Sequence, residues 1–139
     1  ISSINTASIN QLAVARYLES GAMNRHLRRL RSHLQTQVAQ TSEAILSAFP
    51  AGTAISRPQG AYVLWITLPE SVNALDLFRL AAEAGILIAP GQIFCPVADI
   101  PNRIRISCGY PMNDRIAQAI EQLGRFVRQL QKNGVMMRK

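Results

Sequence analysis

The spacing of apolar residues changes at Pro50, and this change limits which part of the chain can be helical and which can form a sheet. Before Pro50, apolar residues recur every three or four positions over about 24–49, as on one face of a helix. After it, the helical spacing ends, and two short segments over 54–57 and 61–68 have the length and composition of strands. Pro58 and Gly60 stand between these two segments and favour a tight turn. We therefore predict a long helix followed by a β-hairpin.

Three more helices are indicated by apolar spacing together with cap residues. A short helix over 9–20 ends at Gly21, a third helix runs to Ala84 before Gly85, and a last helix ends at Asn133–Gly134. Glycine is common just past a helix end because it adopts a left-handed backbone without strain. The candidate N-caps are Ser8 for the first helix, Ser71 or Asn73 for the third, and Asn113 or Asp114 for the last.

Two further strands are predicted, over 86–89 and 103–108. Pro90 ends the first, and in the second Ile104, Ile106 and Cys108 alternate with Arg103, Arg105 and Ser107. One face of that strand should therefore lie in the core, with Cys108 as a small core residue, while the other face carries charge. In the strand 61–68 both faces are apolar, which predicts a central strand covered on both sides, with Trp65 in the core.

These elements predict an α+β fold: a small antiparallel or mixed sheet with helices packed on it, preceded by a long helix. The 139 residues, 48% of them hydrophobic, suffice for one domain and not for two. We divide residues 1–139 into a short helix and connection over 1–21, the long helix over 22–50, an α/β core over 51–132 and a tail over 133–139.

Composition excludes several classes of protein. No apolar run approaches the roughly 20 residues that a membrane-spanning helix needs, and the polar start of the chain is not a signal peptide. Cys95 and Cys108 lack the spacing of a redox or zinc site, so a reducing cytoplasm is expected. His26 and His33 share a helix face with no further ligand beside them, and no metal site is predicted. The chain begins at Ile1 and is interpreted as a fragment of a longer protein.

The net charge of +7 raises the possibility of an acidic partner. Arg25, Arg28, Arg29 and Arg31 are clustered, as in a nucleic-acid-binding patch. Three of them, Arg25, Arg28 and Arg29, project away from the apolar stripe of the long helix, as solvated residues do. A free-standing nucleic-acid-binding module is therefore kept as an alternative.

Several strings occur in an order that resembles one family. The segment 57–69, RPQGAYVLWITLP, is similar to the R-P-x-G-G-x-x-L-W-x-x-L-P string of fold-type I aminotransferases, and especially of the MocR branch of GntR-type regulators. Matching strings upstream are QLA at 11–13, LESG at 18–21 and HLRRLR at 26–31; downstream they are APGQIF at 89–94 and RISCG at 105–109. The resemblance runs from Gln11 to about Leu130 and implies the C-terminal small domain of such a protein.

The resemblance implies roles for a few residues. Arg105 stands where the family's arginine binds the α-carboxylate of an amino acid, and Gly60 and Ala61 stand near the substrate entrance. Ala61 replaces the second glycine of the family string, and Cys108 replaces an aromatic residue. No catalytic residue is predicted in this chain, because the family's Schiff-base lysine lies in a large domain and neither Lys132 nor Lys139 stands in a suitable motif.

For the full-length protein the resemblance implies an effector-sensing domain that binds pyridoxal 5'-phosphate and an amino-acid-like ligand. The large domain holds the cofactor, so the fragment alone is not expected to bind it stably. DNA would be bound through a separate N-terminal domain, and the protein would be a homodimer in the cytoplasm. A true pyridoxal-phosphate aminotransferase is the alternative, so whether the parent is an enzyme is left open.

Overall fold

The computed structural model describes residues 7–94 and 102–136, with side chains as far as Gly134. The chain divides into two compact units, one ending at His33 and the other beginning at Leu34, and each is described by itself. Helices and a small antiparallel sheet make up the described part, so the predicted α+β class is confirmed.

The first unit contains helix α1 (Ser8–Glu19) and the beginning of helix α2 (Ala22–Ala48). Gly21 lies between them with a left-handed φ of 69°, as its position predicted. Ser8 is the first helical residue, and the N-cap is Ala7, which offers no side-chain hydrogen bond. The N-cap prediction for Ser8 is therefore wrong by one residue, because a capping side chain must precede the helical backbone.

The second unit contains a four-stranded sheet in the order β1-β2-β4-β3, and every neighbouring pair is antiparallel. The strands are β1 (Ala54–Ile55), β2 (Val63–Thr67), β3 (Ala89–Pro90) and β4 (Arg103–Ser107). As predicted, β2 is central. Pro90 lies in β3 instead of ending it. Because β3 is an edge strand that pairs only with β4, the missing backbone N–H of a proline can be tolerated there.

The hairpin between β1 and β2 is paired over a shorter length than predicted. After Ile55, the backbone N–H of Ser56 donates to the carbonyl of Trp65 at 2.9 Å. The Ser56 hydroxyl in turn accepts from the Trp65 N–H at 3.1 Å. A side chain thus replaces the backbone carbonyl that the ladder would use next, and Pro58 has no N–H with which to continue it.

The core forms between one face of the sheet and three helices. Asn73 caps helix α3 (Ala74–Glu83) by accepting from the Leu75 N–H at 2.8 Å. Asn113 caps helix α4 (Asp114–Met136) by accepting from the Ile116 N–H at 3.0 Å. The buried apolar core residues are Ile45 on α2 and Phe49 just after it, Leu64, Ile66, Leu68 and Val72 from β2 onward, Ala74, Leu77 and Ala81 on α3, Ile88, Ile104 and Cys108 around β3 and β4, and Ile120, Leu123 and Val127 on α4.

Helix α4 continues to Met136, so the predicted helix end at Asn133–Gly134 is wrong. Gly134 is present for close packing instead: a Cβ there would lie 2.5 Å from the carbonyl oxygen of Ser71. Gly124 has the same role, since its Cβ would lie 2.2 Å from the carbonyl oxygen of Ala48 at the end of α2. That carbonyl also accepts a hydrogen bond from Arg128, a cation at a helix C-terminus.

None of the helices within 7–94 and 102–136 has the length and apolar character needed to cross a bilayer.

Candidate functional site

The two faces of the sheet differ in burial, and the strand register determines which side chains share a face. Leu64 pairs with Ile106 and Ile66 with Ile104; we call this the closed face, because its residues lie in or against the core. Residues directly opposite each other in antiparallel strands point to the same side. The other side of the sheet, the open face, consists of Val63, Trp65, Thr67, Arg103, Arg105 and Ser107.

Arg105 lies on the open face, opposite Trp65 on β2 and Ala89 on β3. Its side chain is half-buried. The guanidinium carbon is 4.7 Å from the ring centroid of Phe94, a cation–π arrangement. In the part of the chain that the structure describes, no carboxylate pairs with this guanidinium. Arg105 is therefore a half-buried cation without a carboxylate partner among the described residues.

The Phe94 ring is itself in contact with Trp65. The two ring centroids are 5.4 Å apart with an interplanar angle of 80°, an edge-to-face pair. Trp65 is half-buried on the open face and not in the core, so the predicted core position is wrong. The reason is the register: Leu64 and Ile66 take the closed face, and Trp65 between them must point the other way.

A cleft of about 430 Å³ includes Arg105 and Phe94 in its walls. We call it the Arg105 cleft. Most of the remaining lining is apolar, and Tyr62 at the rim is 46% exposed. A concave apolar surface with one convergent polar group is a common form of small-molecule site. The apolar and aromatic wall residues include Tyr62, Val63, Leu87, Ile88, Ala89 and Ile106.

The predicted site neighbours Gly60 and Ala61 are exposed and do not line the Arg105 cleft; the next two residues do. Ala61 has a φ of 68°, in the left-handed region that favours glycine. Its backbone therefore keeps the conformation that a glycine would adopt there more easily. Sequence reasoning noted the substitution at this position but not the strain that it carries.

Arg103 is the other arginine on the open face of β4, opposite Thr67. It is exposed, and it is not part of the Arg105 cleft. The two arginines thus have different surroundings although they share a strand and a face. Phe94 is the residue that sequence reasoning missed: it closes the APGQIF string at 89–94, but nothing in that string shows that its ring meets Arg105.

A larger cavity of about 1020 Å³ lies beside the closed face, with Thr41 and Cys108 in its wall. Arg105 is not part of it.

Cys108 is a buried free thiol, as predicted for a small core residue. Burial raises the pKa of the Cys108 thiol, and a hydrogen bond from Thr41 partly opposes that effect. A buried, protonated thiol is a poor nucleophile. Cys95 lies outside the described residues.

The arginines of the predicted nucleic-acid patch, Arg25, Arg28, Arg29 and Arg31, are all exposed on α2. His26 and His33 are exposed on the same helix. Among the residues that the structure describes, no group of three side chains of the kind that binds metals lies together. The nucleic-acid alternative stays a prediction.

A site for pyridoxal 5'-phosphate needs a lysine beside the cofactor. Within the described part of the chain the one lysine is Lys132, which is exposed on α4 near Arg125 and Arg128. An exposed amine beside two cations, away from the Arg105 cleft, does not fit a buried Schiff-base lysine. Lys132 is therefore not a candidate for that lysine.

The sequence of the chain matches that of a known protein family. Residues 1–123 match the sequence profile of the family described as aminotransferase class I and II. The chain belongs to the class I and II aminotransferase family. Within that family its relatives include both regulators and enzymes.

Two relatives illustrate this range. The uncharacterized HTH-type transcriptional regulator YjiR of Escherichia coli is 35% identical over 127 residues, which cover 91% of this chain and 27% of that protein. The 2-aminoadipate transaminase of Thermus thermophilus is 28% identical over 127 residues, covering 91% of this chain and 32% of that protein.

A solved structure shares the fold. The α-aminoadipate aminotransferase LysN of Thermus thermophilus, complexed with N-(5'-phosphopyridoxyl)-L-leucine, superposes with a TM-score of 0.75 at 28% identity. The match covers 92% of this chain and 33% of that one. The chain thus spans between a quarter and a third of the length of these relatives.

Proposed function

We propose that this aminotransferase-family chain, residues 1–139, is the small domain of a pyridoxal-phosphate-dependent transcriptional regulator of the MocR branch. In the full-length protein this domain closes over the bound ligand. Arg105 binds the carboxylate of an amino-acid-like ligand. The observation that carries the proposal is the half-buried guanidinium in an apolar cleft with no carboxylate partner in the described chain. A planar guanidinium suits bidentate binding of a carboxylate.

The cofactor and the DNA-binding domain belong to the part of the protein outside this chain. The phosphopyridoxyl group in the LysN structure and the HTH-type regulators among the relatives support both assignments. When bound, the cofactor would supply the aldehyde that captures the ligand's amino group, while Arg105 orients the ligand by its other end. Ligand binding would alter DNA affinity only if it favours the closed arrangement of the domains. We place the protein in the cytoplasm as a homodimer.

The test uses the full-length protein loaded with pyridoxal 5'-phosphate and titrated with L-leucine, followed by the absorbance of the cofactor. Arg105→Ala should weaken L-leucine binding by roughly 10- to 150-fold, because a hydrogen bond to a charged group contributes about 1.5–3 kcal/mol. Arg105→Lys should recover part of the affinity, since an ammonium keeps the charge but not the planar fork. Unchanged affinity in Arg105→Ala would refute the assignment.

Arg103→Ala is the matched control, because Arg103 shares the strand and the face but not the cleft. Its affinity for L-leucine should stay within about twofold of the wild type.

A true aminotransferase is the second candidate, favoured by the transaminases among the relatives. The same protein separates the two: a regulator should change its affinity for operator DNA when L-leucine binds, without transferring the amino group to 2-oxoglutarate. Sustained turnover would make the enzyme assignment primary.

A further inference from the structure

Arg105 has a long side chain whose orientation the sheet alone does not determine. A free arginine side chain loses on the order of 2 kcal/mol of rotamer entropy when a ligand fixes it. In this structure the guanidinium already lies against the Phe94 ring, 4.7 Å from its centroid. Part of the ordering is therefore complete before any ligand arrives.

A cation–π contact with Phe94 is compatible with hydrogen bonding by Arg105. A guanidinium that packs its flat side on an aromatic ring leaves its edge exposed, and a carboxylate binds the N–H groups at that edge. The same guanidinium can therefore stack on Phe94 and hold a carboxylate at once. In the described part of the chain, no acidic side chain competes for that edge.

Phe94 is fixed in its turn by Trp65. The edge-to-face pair, at 5.4 Å and 80°, connects the Phe94 ring to the central strand β2. Phe94 follows a short 3₁₀ turn (Gly91–Ile93), and its N–H donates to the carbonyl of Gly91 at 3.0 Å. The position of the ring is thus supported by a backbone hydrogen bond and by a contact with the central strand.

We propose that Phe94, supported by Trp65, is a positioning residue that holds the Arg105 guanidinium in the orientation that binds a ligand carboxylate. This inference rests on the proposed function of Arg105. It goes further in assigning a role to two aromatic residues that do not themselves bind the carboxylate. The carboxylate-binding site thus depends on residues from three separate segments: Trp65 on β2, Phe94 directly after the 3₁₀ turn, and Arg105 on β4.

The first experiment compares Phe94→Leu, which keeps apolar volume without a ring, with Phe94→Tyr, which keeps the ring. In the full-length protein with pyridoxal 5'-phosphate, Phe94→Leu should weaken L-leucine binding by about three- to thirtyfold, the range of a cation–π contact. Phe94→Tyr should stay within about twofold of the wild type. L-leucinamide, which has no carboxylate, should bind both variants about equally, whereas a general structural defect would weaken both ligands.

The outcomes separate this inference from the function on which it rests. Weaker L-leucine binding in Arg105→Ala, with no change in Phe94→Leu, would overturn the positioning role alone. No change in either variant would overturn both.

A second measurement does not depend on the cofactor. In the nuclear magnetic resonance spectrum of the full-length protein with isotope-labelled arginine, the δ-methylene protons of Arg105 should be shifted upfield by the Phe94 ring current. Phe94→Leu should remove that shift, and Phe94→Tyr should preserve it. Random-coil shifts for these protons in the wild type would refute the stacking on which the proposal depends.

Discussion

The closed face and the open face of the sheet are built from alternate residues of the same strands, yet they have different tasks. On β4, Ile104 is completely buried and packs in the core, while its neighbour Arg105 is half-buried and contacts an aromatic ring. Since successive side chains of a strand point to opposite sides, one strand can serve both the core and a binding site. The comparison suggests that stability and ligand binding can be changed separately in this fold.

The physical basis of this separation is the area that each face removes from water. Each large side chain fully buried on the closed face contributes roughly 1.5–3 kcal/mol relative to an exposed one. On the open face Arg105 makes a cation–π contact, which contributes about 0.5–1 kcal/mol at an exposed site. We therefore expect a truncation in the closed face to lower the free energy of unfolding more than removal of the Arg105–Phe94 contact does.

The largest difference between the two faces is expected when neighbouring residues of β4 are replaced by alanine, one at a time. Ile104→Ala should lower the free energy of unfolding of the chain by about 2–5 kcal/mol, because it leaves a cavity in a packed core. Arg105→Ala should lower it by about 1 kcal/mol or less. Urea unfolding followed by circular dichroism measures both. Equal losses in the two variants would mean that the open face also stabilises the fold.

The pH dependence of stability provides a second test of the closed face. Because burial raises the pKa of Cys108 in the folded state, the folded chain keeps its proton to higher pH than the unfolded chain, whose thiol has the ordinary pKa of 9.0. Stability from this group is complete below about pH 9 and falls as the pH rises toward the folded-state pKa. The slope is at most about 1.4 kcal/mol per pH unit.

The control for that measurement is Cys108→Ala, which removes the thiol and keeps an apolar side chain. The difference in unfolding free energy between wild type and Cys108→Ala isolates the thiol, since all other titrating groups are common to both. A difference that does not change between pH 8 and pH 10 would contradict a raised pKa in the folded chain.

Local sequence signals could predict most of the fold. Alternation placed Ile104 and Cys108 on the closed face and Arg105 on the other, and Asn73 and Asn113 cap the helices for which they were candidates. These predictions succeed because apolar period and capping depend on residues that are near in sequence. The role of Arg105 came from family resemblance and remains a proposal.

Contacts between distant segments could not be predicted in the same way. Gly134 resembles a helix stop in sequence, but it lies within α4, where the absence of a Cβ permits its close approach to Ser71. The same limit applies to the site: the contacts of Phe94 with Arg105 and with Trp65 join three segments whose meeting only the folded chain determines. Periodicity reports which side a residue faces, not which residue it meets there.

The smallest expected effect concerns the turn that leads into the open face. Ala61 has a left-handed φ of 68°, which costs a residue with a Cβ roughly 1–2 kcal/mol. Ala61→Gly should therefore stabilise the chain, by only about 0.5–1 kcal/mol, because glycine also gains freedom in the unfolded state.

Gly85 is the matched control: its φ is 73° and a Cβ there would meet nothing within 4 Å. Gly85→Ala should lower the unfolding free energy by a similar amount, so the two substitutions should shift the urea midpoint in opposite directions. A loss of stability in Ala61→Gly would mean that the turn before the Arg105 cleft stores no strain, and that the substitution of alanine for the family's glycine has no structural cost.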